Sequence, residues 1–115
     1  MTDYEVTTDW TAAYEHPIEL EKGEELWLSG KSDNWGGHTW VWARNTVGKE
    51  GWIPDDLVIG VAERTYARTH FSAKELTCRQ GETLYGIEET HGWVLCRNTN
   101  NSVGWVPSRN LRRMD

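Results

Sequence analysis

The chain has 115 residues, room for one ordinary domain or two very small ones, and its net charge of −6 argues against a duplex nucleic-acid binder, whose phosphates demand a basic face. No apolar run approaches the roughly 18 residues of a membrane-spanning helix, and the polar, acidic stretch from Met1 to Val6 has no apolar signal region, so a cytoplasmic protein with no membrane partner is the expectation. Two cysteines, Cys78 and Cys96, are poor candidates for stapling so small a fold; eight tryptophans are better suited to packing it.

From the N-terminus, Asp9-Trp10 precedes a predicted loop over residues 11–16. Ile18 and Leu20, then Leu26 and Leu28 beyond Lys22-Gly23-Glu24, keep the period-two apolar spacing of strands. Residues 29–39 read as a second loop, with Trp35 set between Asn34 and Gly36. Residues 40–45 and 51–53 form a hairpin across Thr46-Val47-Gly48-Lys49, and residues 60–64 read as a short linker. The landmarks then recur in order as His70-Phe71, Leu76-Thr77-Cys78, Gln80-Gly81-Glu82, Trp93-Val94-Leu95-Cys96-Arg97-Asn98 and Gly104-Trp105-Val106-Pro107. The offset between copies is 61 at Trp10/Phe71, 58 at Leu26/Leu84 and 53 at Trp40/Trp93, so the first copy is longer in its two loops.

Short strands at this spacing indicate an all-β chain of two tandem barrels, residues 1–60 and 61–115. Alternation puts Val41 and Ala43 on one face of the third strand and Trp40 and Trp42 on the other. Val94 and Cys96 likewise oppose Trp93 and Leu95, and Ile53 and Val106 belong to the interior. Residues 1–60 carry a balance of −8 and residues 61–115 one of +2, which reads as solvated surface or as halves that attract each other.

Together these landmarks resemble the Src homology 3 (SH3) family over almost the whole chain, and in detail a bacterial variant group of tandem domains. The resemblance implies two five-stranded barrels, each with a groove between two loops that holds an extended, proline-rich peptide. Such a peptide is already ordered and docks at little entropic cost. Carried over by position, the first groove is Thr8, Trp10, Trp40, Pro54 and Leu57, flanked by Tyr14, Glu15, His16 and Trp35. The second is Thr69, Phe71, Trp93, Pro107 and Asn110. The family's groove tyrosines fall on Thr8, Thr69, Leu57 and Asn110, which leaves each groove less ring surface.

The expected function is therefore non-catalytic recognition of a protein or peptide segment, proline-rich with a basic flank in the family's usual case and chiefly through the first copy. The competing reading is a rigid structural tandem whose grooves are occluded by docking of the barrels. A cell-wall or small-ligand module, including an aromatic cage for a methylated cation, stands as a further alternative. No nucleophile motif, phosphate loop or metal-ligand spacing is present, so neither catalytic residues, metal nor cofactor are expected. Trp52 and Trp105 read as packing or domain-interface residues, and both cysteines as small buried hydrophobes.

Overall fold

A computed structural model describes residues 2–13 and 16–114. The strands in chain order are β1 (Thr2–Val6), β2 (Glu19–Leu20), β3 (Glu25–Trp35), β4 (His38–Arg44), β5 (Glu50–Pro54), β6 (Val58–Val61), β7 (Arg64–Ala67), β8 (Phe71–Ser72), β9 (Thr83–Thr90), β10 (Trp93–Arg97), β11 (Val103–Pro107) and β12 (Leu111–Met114). Three-residue 3-10 turns, Asp55–Leu57 and Ser108–Asn110, follow the two prolines. The all-β expectation of two small five-stranded bodies holds. No helix among the described residues is long and apolar enough to cross a membrane.

The two compact units are not the two halves of the chain. One comprises Met1–Glu15 with Lys74–Asp115, and the other is His16–Ala73; we call them the flanking and the inserted unit. In the flanking unit the sheet order is β11-β10-β9-β1-β12, so the first strand of the chain completes the second repeat. In the inserted unit the order is β5-β4-β3-β7-β6, so the first strand of the second repeat completes the first. The repeats have exchanged their opening strands within one chain.

Matching turns receive each exchanged strand. The N–H of Val6 donates to the carbonyl of Glu82, and that of Gly81 to the carbonyl of Val6. In the inserted unit Ala67 makes the same two bonds with Glu24 and Gly23. Gly23 and Gly81 sit at φ 81° and 94°, the left-handed conformation that glycine tolerates. Glu24 and Glu82 close these turns by accepting the N–H groups of Glu21 and Arg79. The thrice-spaced glutamate of each motif is therefore a turn lock.

Residues 60–64, expected to be a linker, instead lie in and around a tight hairpin. β6 pairs antiparallel with β7, Val61 opposite Arg64, and Ala62 and Glu63 both take positive φ, 51° and 67°. That two-residue turn is the kind usually built from Asn-Gly, so nothing in Ala-Glu announces it. Residues 29–39 are likewise no loop. β3 and β4 run on as a ladder to Trp35 opposite His38, turning at Gly36 and Gly37, and a bulge between Leu28 and Ser32 absorbs the extra residues.

The interior of the flanking unit is Tyr4, Val6, Leu76, Cys78, Leu84, Val94, Cys96 and Val106, with Trp10 and Leu111 against it. In the inserted unit Ile18, Leu20, Leu26, Ala43, Ile53 and Ala67 are buried. The alternation therefore chose the inner faces correctly, except at Leu28. That side chain is 42% exposed, because the β3/β7 ladder ends at Leu26 and no strand covers the next inward position.

Candidate functional site

The exchange redistributes the sequence-derived groove residues. Thr8 and Trp10 belong to the unit that holds Trp93, Pro107 and Asn110. Thr69 and Phe71 belong to the unit that holds Trp40, Pro54 and Leu57. Each groove is thus composite, its opening motif from one repeat and its third strand, proline and 3-10 turn from the other. Tyr14 and Glu15 lie outside the described residues.

In the flanking unit, Trp10 and Trp93 meet edge to face, ring centroids 5.5 Å apart, both half-buried. This is a favoured aromatic geometry, worth roughly 1 kcal/mol beyond its buried area. Several contacts hold the rings in place. The Trp10 backbone forms a two-way bridge with Cys78, at 2.9 and 2.8 Å. The Trp10 indole N–H donates to Glu75 Oε1 at 3.1 Å, and the Ala13 N–H donates to the same oxygen. Trp93 opens β10 opposite Pro107 of β11, and Ser108 bonds back to the carbonyl of Gly92 through both its N–H and its hydroxyl.

Asn110 stands where the family has a groove tyrosine, and it is buried. Its Nδ2 donates to the carbonyls of Thr8 and Asp9, and its own carbonyl accepts the N–H of Thr7. It clamps the segment that carries Trp10 rather than offering a group to a ligand. Leu57 is also buried, and its carbonyl accepts the N–H of Arg68, the equivalent bond in the inserted unit. Pro54, Pro107 and Phe71 are buried as well. The ring surface left at the flanking site is chiefly that of Trp10 and Trp93.

Glu75 was not among the residues picked from the sequence. Burial raises its carboxyl above the ordinary value, opposed by the bonds from Ala13 and Trp10. Only the folded contact between residues 65 positions apart exposes its role. Both thiols are buried, and burial pushes both up, Cys96 to about 12, with the neighbouring Cys78 adding to the rise at Cys96.

The inserted unit has a second aromatic feature. Cross-strand partners share a face, so the pairs Trp27–Arg44, Trp42–Trp52 and Trp40–Pro54 lie on one side of β3, β4 and β5. Asp33 opposite Trp40 and Trp35 opposite His38 extend the same side. Five of the eight tryptophans therefore share the outward face of this sheet. Trp42 and Trp52 are edge to face at 5.2 Å. The protein's own cations cover part of it: Lys31 Nζ is 5.0 Å from the Trp42 ring centre, and the Arg44 guanidinium is 5.2 Å from that of Trp27. Trp52 is half-buried against Trp42, and Trp35 is 39% exposed. In the flanking unit Arg97 lies 5.9 Å above Tyr85, the matching pair of positions.

The variant SH3 domain model matches the chain twice, over residues 4–61 and 59–113. The chain belongs to the variant SH3 domain family. SH3 domains are binding modules for proteins and peptides, and the tandem matches follow the linear repeats while the folded SH3 units exchange first strands. No solved structure matches the chain.

Proposed function

We propose that this tandem SH3 protein is a non-catalytic interaction module that binds an extended, proline-containing peptide segment at the composite site of the flanking unit. The observation that carries the reading is the edge-to-face pair of Trp10 and Trp93, half-buried and held by Glu75, Cys78 and the Gly92–Ser108 contact. Two fixed, half-buried rings at an angle offer apolar surface, and a pre-ordered polyproline helix docks on such surface without losing much chain entropy. Sequence reasoning placed the main site in the first copy; the regrouping moves the favoured site to the unit built around Trp93. Because Asn110 and Thr8 supply no ring there, proline selectivity is weaker than in a groove lined by tyrosines.

The test is a titration of isotope-labelled full-length protein with a basic proline-rich peptide and with a proline-free extended control, read at the indole N–H resonances. The expected result is movement of the Trp10 and Trp93 signals with the proline-rich peptide, lost in Trp93→Ala. Static Trp10 and Trp93 signals at about millimolar peptide overturn the reading.

A further inference from the structure

The two opening strands are nearly interchangeable as backbone. Each pairs antiparallel with the second strand of a repeat and with its last strand. Each also makes the same pair of bonds to a Gly-Glu turn. Hydrogen bonding alone therefore does not decide which repeat receives which strand. The two-residue Ala62–Glu63 turn keeps β7 beside β6, and side-chain volume adds a second bias, because one pair of positions differs sharply between the repeats.

In the flanking unit Tyr4 lies opposite Leu84 and is buried, its ring over Gly86. A Cβ at position 86 would stand 2.5 Å from Tyr4 Cε2, 3.1 Å from Cδ2 and 3.0 Å from the Thr2 carbonyl oxygen. Only glycine leaves room for the ring. In the inserted unit Thr65 lies opposite Leu26, the position equivalent to Leu84, and its hydroxyl donates to the Leu26 carbonyl at 2.6 Å. Leu28 pairs with Ala43 as Gly86 pairs with Cys96, so Leu28 is the equivalent of Gly86.

We infer that the pairs Tyr4–Gly86 and Thr65–Leu28 favour the exchange of opening strands, so that each repeat is built to accept the other's strand. Without exchange, the Tyr4 ring would meet the branched Leu28 side chain in place of the glycine that seats it. Thr65 would then lie over Gly86 and leave the volume of an aromatic ring empty. Exchange gives the ring its seat over Gly86 and avoids the void. The partner that completes each SH3 unit is therefore the other repeat.

Two measurements on the full chain test this. The first is a thermal double-mutant cycle. Gly86→Leu alone lowers the melting temperature by roughly 5–10 °C, the scale of an overpacked core position. In a Tyr4→Thr background the same change costs far less, because the ring it collides with is gone. A double variant destabilised by the full sum of the single changes overturns the inference.

The second uses a protease site inserted between Ala62 and Glu63, in the exposed turn of the β6–β7 hairpin. Cut natively, the parent chain elutes as one species, since each unit holds strands from both fragments. The fourfold variant Tyr4→Thr, Leu28→Gly, Thr65→Tyr, Gly86→Leu is expected to return the strands home and release two separate fragments after cutting. Fragments that separate in the parent, or a folded fourfold variant whose fragments stay together, overturn the inference. Should the fourfold variant fail to fold, the cycle decides alone.

Discussion

Several repeated landmarks of the sequence have single-residue causes. A Cβ on Gly104 would come within 2.7 Å of the Glu75 carbonyl carbon and the Leu76 nitrogen, so the Gly-Trp-x-Pro glycine is where one chain segment rests on β11. Gly51 has the same duty towards Ile18, at 3.0 Å. Asn45 and Asn98 each fold a distal turn by accepting two N–H groups, from Val47 and Lys49 and from Asn100 and Ser102. Glu75 offers a test at this scale. Its raised carboxyl means that the native state holds the proton more tightly than the unfolded chain does. This contribution is fully present below the ordinary carboxylate range and is lost as pH rises through the raised value. Glu75→Gln keeps an acceptor for Trp10 and Ala13 without the charge, so it should raise the melting temperature at pH about 7. The gain should vanish at pH about 3, where Glu75 itself is neutral in both states. A gain that persists at low pH would show that desolvated charge is not its source.

At the scale of elements, β1 is the central case. It lies between β9 and β12 in the flanking unit, where Arg112 pairs with Glu5 across the ladder. Deleting residues 1–6 should therefore collapse the NMR dispersion of residues 74–114 and leave residues 16–73 dispersed. Two independent linear domains would show the reverse, with the damage confined to the first repeat. The central strands of each repeat, the Gly-Glu turns and most inward faces were legible, because each depends on alternation or on a local φ requirement, whereas the opening and closing strands β1, β6, β7 and β12 were not. The hairpin at Ala62–Glu63 was not. Its residues take left-handed conformations that neither prefers, and the β6–β7 ladder imposes them. Residues 29–39 misled for a related reason: a bulged hairpin absorbs extra residues as readily as a loop does.

At the scale of the molecule, the exchange also changes the charge picture. The linear halves differ by ten charges, whereas each folded unit carries nine acidic and six basic residues, a balance of −3 in both. The alternative of attraction between oppositely charged halves loses its basis, because the uneven distribution belongs to the chain order and not to the folded units. The buried thiols report on the opening of the flanking unit as a whole. Burial holds Cys78 and Cys96 as thiols, Cys96 at about 12, so neither offers an exposed thiolate at neutral pH. A thiol reagent should modify them together, at a rate that climbs with denaturant in step with unfolding. Prompt modification of either one in native buffer would contradict that packing.

By itself the sequence determined the family, the all-β class, the central strands and Gly-Glu turns of each repeat, and the identity of most inward faces. These rest on near-neighbour physics: side-chain alternation, glycine at positive φ, and asparagine folding its own turn. Only the tertiary structure decided which opening strand completes which unit, that Trp10 meets Trp93, and that Asn110 and Leu57 build the fold instead of lining a groove. Two similar strands satisfy the same ladder, so backbone hydrogen bonds leave that choice open. The two-residue turn that ties β7 to β6 bears on it, and so does the space a ring finds across the sheet, as Tyr4 does over Gly86 more than 80 positions away.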